Sequence, residues 1–371
     1  MKVSKNAAGR FVGIDLGKRT YELAILGIEG KVAFSNGQTF PAGRQSLYKK
    51  LRAEDTVALE AGNMAFIMAK EIGEAVGCRV YVLNAHRLAL IYASMKKTDR
   101  EDALKLARIV QYFPEDRLPI VPLPSDQEMR RRKILACYRR SMAKRSRAVN
   151  QLHGLFVSQG ITTKARKDLA TAGNRAEAVS ELTGIEREEA EFLLDCLAMY
   201  ESRIGELKKQ IEKESEGDEA IEQLQSIPGV GPMTAFAFIA HVAVERFENA
   251  SQVSNYLGLI PRVYMSGEME RRGRITKRGN GYVRGLLVQA AWALTFTKSG
   301  GKLKERFEYM TVEKSISKKK AIVAIARRIA EVMYALLRDG VNYEERPFKG
   351  SSKEKAELAA QLVAEALAYS V

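Results

Sequence analysis

Between residues 193 and 211 apolar residues recur in steps of four and three without a miss: Leu193, Leu197, Tyr200, Ile204, Leu207 and Ile211. No strand uses that spacing, and a seam of this length needs a long helix with a partner along it. A matching series lies upstream, Leu135, Tyr138, Met142, Val149, Leu152 and Phe156, with Arg145 at its one polar position. The two series predict a coiled-coil helical region over residues 123–217, begun by the linker "PLPSD" (122–126). They pair either within one chain as an antiparallel hairpin or between chains as a dimer seam.

Before this region the period changes. "RFVGIDLG", "TYELAIL", "KVAFSNGQTF", "TVALEA" and "RVYVLNA" read as strands, the third broken by a turn at Asn36-Gly37. "AGRQSLYKKLR" and "NMAFIMAKEIGEAV" read as helices, the second ending at Gly77. Interleaved strands and helices predict an α/β domain over residues 1–122. From 218, "LQSIPGVGPMTAFAFIAHV" reads as helix, Pro-Gly-x-Gly turn and helix. A loop rich in Arg and Gly follows, "YMSGEMERRGRITKRGNG", then amphipathic helices to residue 340. The expected plan is therefore α/β plus all-α, with a helical domain over 218–345 and a tail helix over 346–371.

Charge narrows the partner. The formal net charge is +15 over 371 residues, which favours an extended polyanion, nucleic acid before membrane. No apolar run approaches the roughly 18–20 residues of a membrane span. The N-terminal stretch has no apolar signal core. Cys78, Cys137 and Cys196 lack CxxC spacing, and His86, His153 and His241 stand singly, which argues against a disulfide framework and against zinc. A reduced, cytoplasmic protein is expected.

The acids are the chemically suggestive residues. In "KKTDREDALKLARIV" Thr98 and Glu101 form a capping-box pattern, and the helix is expected to run to Phe113, before Pro114. Asp99, Asp102, Leu106, Ile109 and Phe113 then share one face, so two carboxylates lie on the stripe meant for a core. Asp15 stands in an apolar strand and Glu60 ends another. Singly, Asp99 and Asp102 answer to the helix dipole and Glu60 to a strand edge. Gathered, four carboxylates repel, so that some are protonated or the site binds cations. Carboxylates and water suit Mg²⁺ or Mn²⁺, and two such ions serve phosphodiester chemistry. The order strand-Asp, strand-Glu, helix Asp-x-x-Asp resembles ribonuclease H and RuvC-like nucleases. "GIDLGKRT" also resembles the first phosphate hairpin of actin-like ATPases and sugar kinases, but their second Gly-rich phosphate loop does not follow at the expected place.

Basic segments complete the reading. Arg130, Arg131, Arg132, Lys133, Arg139, Arg140, Lys144 and Arg147 crowd the first long helix with almost no acid beside them, as a nucleic-acid face would. "SIPGVGPMTA" resembles a helix-hairpin-helix, with Gly229 and Gly231 letting backbone N–H groups reach a DNA phosphate. Arg271, Arg272, Arg274, Lys277, Arg278 and Arg284 surround a Gly-interrupted loop that leads into a helix start, a phosphate cradle. Ser266 beside it is a candidate nucleophile. No histidine adjoins it, so the metal site is its activator, which requires the two regions, from one subunit or two, to meet.

"GIDLGKRT", "LEAGN" and "KKTDREDALKLARI", with "SIPGVGPMTA" and "GLIPRVYMSGEMERRGRITKRGNGYVRGLL", resemble the DEDD insertion-sequence transposases. These are the bridge-RNA-guided recombinases, relatives of the pilin-gene invertases. The resemblance spans nearly all of residues 10–340 and implies a RuvC-like domain, a coiled-coil connection and a helical transposase domain. It implies Mg²⁺ held by Asp15, Glu60, Asp99 and Asp102, and Ser266 linked covalently to the cleaved strand. Its implied partners are donor and target DNA, a structured guide RNA, and further copies of the chain as dimers joined into a tetramer. Two other readings stand beside it: a RuvC-like resolvase that hydrolyses with water, and a non-catalytic nucleic-acid-binding protein.

Overall fold

The computed structural model describes residues 9–344, apart from 28, 63, 86, 89–97, 163–164, 267–268 and 299, and omits the side chains of 166, 265–266 and 269–272. The chain divides into two compact units, residues 1–125 and 126–371, each with its own buried cores.

In the first unit β1 (Phe11–Leu16), β2 (Thr20–Leu26), β3 (Val32–Gln38), β4 (Thr56–Glu60) and β5 (Arg79–Leu83) make one sheet, ordered β3-β2-β1-β4-β5. Short connections leave β1, β2 and β3 antiparallel. The crossover helices α1 (Pro41–Tyr48) and α2 (Ala65–Val76) bring β4 and β5 in parallel to β1. Both faces of β1 are covered. Val12 and Ile14 join Tyr21, Leu23, Leu47, Met68, Ala69 and Ile72 in one core. Gly13 and Asp15 alternate to the other face, under α3 (Asp99–Tyr112), whose Ala103, Leu104 and Ala107 pack on Ala24 and Leu26. There Leu106, Ile109 and Val110 pack on Ala58 and Leu83.

Two local expectations fail for identifiable reasons. β3 runs straight through Asn36 and Gly37 instead of turning there, paired with Glu22 and Tyr21 of β2. Gly37 marks a close approach, since an added β-carbon would lie 2.4 Å from the Tyr21 hydroxyl. The helix α3 stops at Tyr112, and Phe113 is extended and exposed, off the buried stripe. Proline at 114 excludes the helical region for the residue before it.

The second unit opens with α4 (Asp126–Ser158) and α6 (Gly184–Ser215). They pair within the chain and antiparallel: Arg130 meets Glu214, Arg145 meets Glu201, and Gln159 meets Glu186. Between them α5 (Ala172–Val179) closes the far end over Leu152, Phe156, Leu193 and Leu197. At the near end Ile134, Leu135, Leu207 and Ile211 enter the larger core. That core is built with α7 (Glu219–Gln225), α8 (Pro232–His241), α9 (Ala250–Tyr256), α10 (Gly281–Phe296), α11 (Gly301–Glu308) and α12 (Lys318–Asp339). The expected Arg/Gly-rich loop is largely a hairpin of β6 (Pro261–Ser266) and β7 (Met269–Ile275). Val263, Tyr264 and Ile275 favour strand, and the density of charge hid that preference. The tail helix expected over 346–371 lies outside the described residues. Among the described residues no helix is long and apolar enough to cross a membrane.

Candidate active site

Four acids end their elements on the α3 side of the sheet or at its edge. Asp15 is half-buried near the end of β1 and registers with Glu22 of β2. Glu60 is the exposed last residue of β4, one step beyond the Ile14–Leu59 pair that joins β4 to β1. Asp99 and Asp102 occupy the first turn of α3, started by Thr98, whose hydroxyl accepts the Glu101 N–H at 3.3 Å. Gly13 sets the height of that helix. An added β-carbon there would stand 1.9 Å from the Ala103 carbonyl oxygen and 2.6 Å from the Ala107 nitrogen. Gly13→Ala is therefore expected to lift α3 from β1, cost about 2–3 kcal/mol, and misplace Asp99 and Asp102. Thermal unfolding and DNA cleavage, measured on the same preparation, check both halves.

The electrostatics bind the four together. The Asp15 carboxyl is pushed up to about 6, by burial first and then by the negative fields of Asp99, Asp102 and Glu60. Asp102 is turned onto Lys105, at 2.6 Å. Among the described residues no three His, Cys, Asp or Glu side chains stand close enough together to hold one ion. The acids share a neighbourhood without being drawn to a point, as expected of like charges. Their chemistry fits a hard divalent cation, since the donors are all carboxylate oxygens, three of them at helix or strand ends with room to rotate. Asp102 is the member that must leave a present partner to serve as a ligand.

In the second unit the basic residues fall into two groups. Arg131 is 4 % exposed, joined to Asp218 and to the Glu214 carbonyl beneath the Phe236 ring, which removes it from any surface offered to a polyanion. Arg132 donates to the Ala240 carbonyl at 2.6 Å and pairs with Glu128, and Arg130 pairs with Glu214. The acids missing from the local sequence come from α6, from the turn after it, and from four residues upstream. Arg139 and Arg140 are exposed, Arg139 stacked over Tyr282 at 4.8 Å. Arg284 is half-buried and donates to the Leu257 carbonyl at 2.9 Å and the Arg278 carbonyl at 3.4 Å, tying the loop to α10. Arg274, Lys277 and Arg278 are exposed along that loop. Gly229, at φ +85°, packs against the backbone of α10 at Ala290 and Leu294, whereas Gly231 faces open space at the start of α8. Ser266 ends β6 opposite Met269, while its side chain and those of Arg271 and Arg272 lie outside the described residues.

Three residues near the acids escaped the sequence reading. Gly13 gives no local signal, because its role is a contact with a helix 90 residues on. Lys105 could have been found from its i,i+3 spacing to Asp102. Glu22 could have been found by folding "GIDLGKRTYELA" as a tight hairpin, which sets it opposite Asp15.

Residues 12–159 match a transposase family model, the DEDD domain of the IS110 type, and residues 221–308 match the family described as Transposase IS116/IS110/IS902. The chain belongs to this transposase family. It is 28 % identical over 297 residues to a probable family 20 transposase of Pseudomonas aeruginosa, covering 76 % of this chain and 83 % of that protein. It is 26 % identical to the transposase of insertion sequence element IS1111A from Coxiella burnetii, over 66 % of this chain and 68 % of that one. A pilin gene-inverting protein of Moraxella bovis is 24 % identical, over 71 % and 73 % of the two chains. This transposase is thus an enzyme of DNA recombination, and its DEDD family implies dependence on a divalent metal ion.

Proposed function

We propose that this transposase cuts and rejoins donor and target DNA through a covalent serine link, with Asp15, Glu60, Asp99 and Asp102 holding Mg²⁺ or Mn²⁺. The observation that carries the metal site is the placement of a half-buried Asp15 on β1, Glu60 at the end of the adjoining β4, and Asp99 and Asp102 in the first turn of the helix over that face. When bound, the ion polarises the scissile phosphodiester and stabilises the departing oxygen. Ser266 supplies the attacking hydroxyl: its oxygen bonds to phosphorus, one P–O ester bond of the DNA breaks, the serine proton is lost and the departing oxygen gains one. One ester replaces another, so the bond energy is kept for rejoining.

The sheet order, with Asp15 on the central strand, supports a RuvC-like reading of the first unit. The open space at Gly231, where a helix-hairpin-helix would admit a phosphate, and the exposed Arg139, Arg140, Arg274, Lys277 and Arg278 suit phosphate contact. Self-association is supported by Ile185, Phe192 and Met199, exposed by 70, 60 and 57 % at seven-residue intervals on α6, whereas the tetramer on two DNAs enters from the family resemblance. Guidance by a structured RNA enters from the family resemblance, and sequencing the RNA that copurifies with the protein tests it.

A denaturing gel tests the chemistry. Wild type is expected to yield protein-linked DNA, and Ser266→Ala none. Free nicked ends that persist in Ser266→Ala would replace the serine with water as nucleophile.

A further inference from the structure

Beside the carboxylates lies a trough lined by Glu22, Phe34, Ser35, Asn36, Asp99 and Arg100, with an open volume of about 660 Å³. Strand register explains its position. Asp15, Glu22 and Asn36 form one row across β1, β2 and β3, and Ala24 and Phe34 belong to the next row on the same face. Neighbouring strands are about 4.8 Å apart, so Asn36 stands about 10 Å from Asp15, at the exposed sheet edge. Above it, the guanidinium carbon of Arg100 lies 4.1 Å from the centroid of the half-buried Phe34 ring. Arg100 itself is exposed. The Arg100 guanidinium therefore lies over an aromatic ring while the residue stays exposed at the trough.

The charges decide what the trough receives. Glu22 and Asp99 face the same space, and Arg100 is the one cation among the residues that line it. With Asp99 given to the metal, Glu22 and Arg100 offset one another, so the trough does not select a phosphate. They suit a neutral group with N–H donors and a flat π-face. We infer that the trough holds a single nucleobase, displaced from its stack next to the scissile phosphodiester. The base lies on the Arg100 guanidinium, as nucleobases do on arginine planes. Its exocyclic amino group donates to the Glu22 carboxylate, and its edge meets the Asn36 amide, which offers both a donor and an acceptor. Cytosine and adenine present such an amino group, whereas thymine does not. The inference rests on reading the neighbouring acids as the cleavage site, which supplies the reason for a displaced base.

The test is a cycle of base removal against substitution. Full-length protein is titrated, in EDTA, with an oligonucleotide carrying the DNA end it recombines, an abasic residue being moved one position at a time along it. Wild type is expected to show one position near the cleavage point where base loss weakens binding on the order of tenfold or more. In Arg100→Lys, which keeps the charge and removes the plane, the same abasic residue is expected to cost less than about twofold. The salt dependence stays unchanged, because the charge is unchanged. Glu22→Ala, on the trough wall, is the second variant, and is expected to lose the preference for cytosine over thymine at that position. An abasic profile identical in wild type and Arg100→Lys would overturn the inference. So would an even loss at all positions with a shallower salt slope, which is the mark of a phosphate contact. Because EDTA is present, the result does not depend on metal. Metal-independent cleavage would sink the catalytic reading of the acids and leave this binding result standing.

Discussion

Replacing Asp15 by asparagine is expected to reduce DNA cleavage by on the order of a thousandfold or more, while raising the melting temperature of the metal-free protein. The two effects have one cause. Burial and three neighbouring acids hold the Asp15 carboxyl near 6, above its ordinary 3.8, so its ionised form is disfavoured by the fold. A raised carboxyl costs stability that first appears as the pH climbs past about 4 and is fully present above about 6. Asparagine removes that cost at neutral pH and leaves stability below pH 4 unchanged. The carboxyl is half-buried, so the gain is discounted to about 1 kcal/mol, or roughly 2–4 °C. Differential scanning calorimetry at pH 7.5 and pH 3.5 reads the difference. A variant that is less stable at neutral pH and still cleaves would show that Asp15 is an ordinary structural acid.

The second large effect lies in the helical hairpin. Arg175 is 2 % exposed and is held by Glu201 at 2.7 Å and by the Leu169 and Ala170 carbonyls, both at 3.3 Å. Glu201 also receives Arg145, at 2.8 Å. Burial opposes the ionisation of Glu201, but the two guanidiniums prevail and hold its carboxyl below the ordinary range. Glu201→Ala strands a buried guanidinium and is expected to cost about 3 kcal/mol, at the low end for such a site because Glu201 is a third exposed. Arg145→Met removes only the more exposed partner and is expected to cost less than about 1 kcal/mol. Sign follows from the lowered carboxyl: the support from Glu201 is present above the ordinary carboxylate pKa and is lost as the pH falls through the folded value. Urea unfolding of both variants at pH 7 and pH 4 tests the ranking and the narrowing of the gap in acid.

Period and punctuation were legible. The three-four series at 193–211 became α6, Gly77 ended α2 in the left-handed conformation, and the strand-like runs became the five-stranded sheet. Asp15 stood out because an acid inside an apolar strand is costly without a reason, and it is half-buried, whereas Glu60 and Asp99, expected beside a core, are exposed. Long-range contacts were not legible. Arg131 looked like part of a free basic face because Asp218 lies 87 residues away, and Gly13 matters only through a helix that arrives much later. Tyr21 decides that Gly37 stays in a strand, against the turn its Asn-Gly pair suggests. Charge misled twice in the same way, since a dense run of Arg and Lys resembles a loop or a solvated face whatever the backbone beneath it does.

A manganese titration asks the central question without any catalytic readout. Calorimetry on the full-length protein, free of nucleic acid, should find Mn²⁺ bound by wild type and bound at least about tenfold more weakly by Asp15→Asn and by Glu60→Gln. Equal affinity in wild type and both variants would mean that these carboxylates, although neighbours, are not where the ion goes.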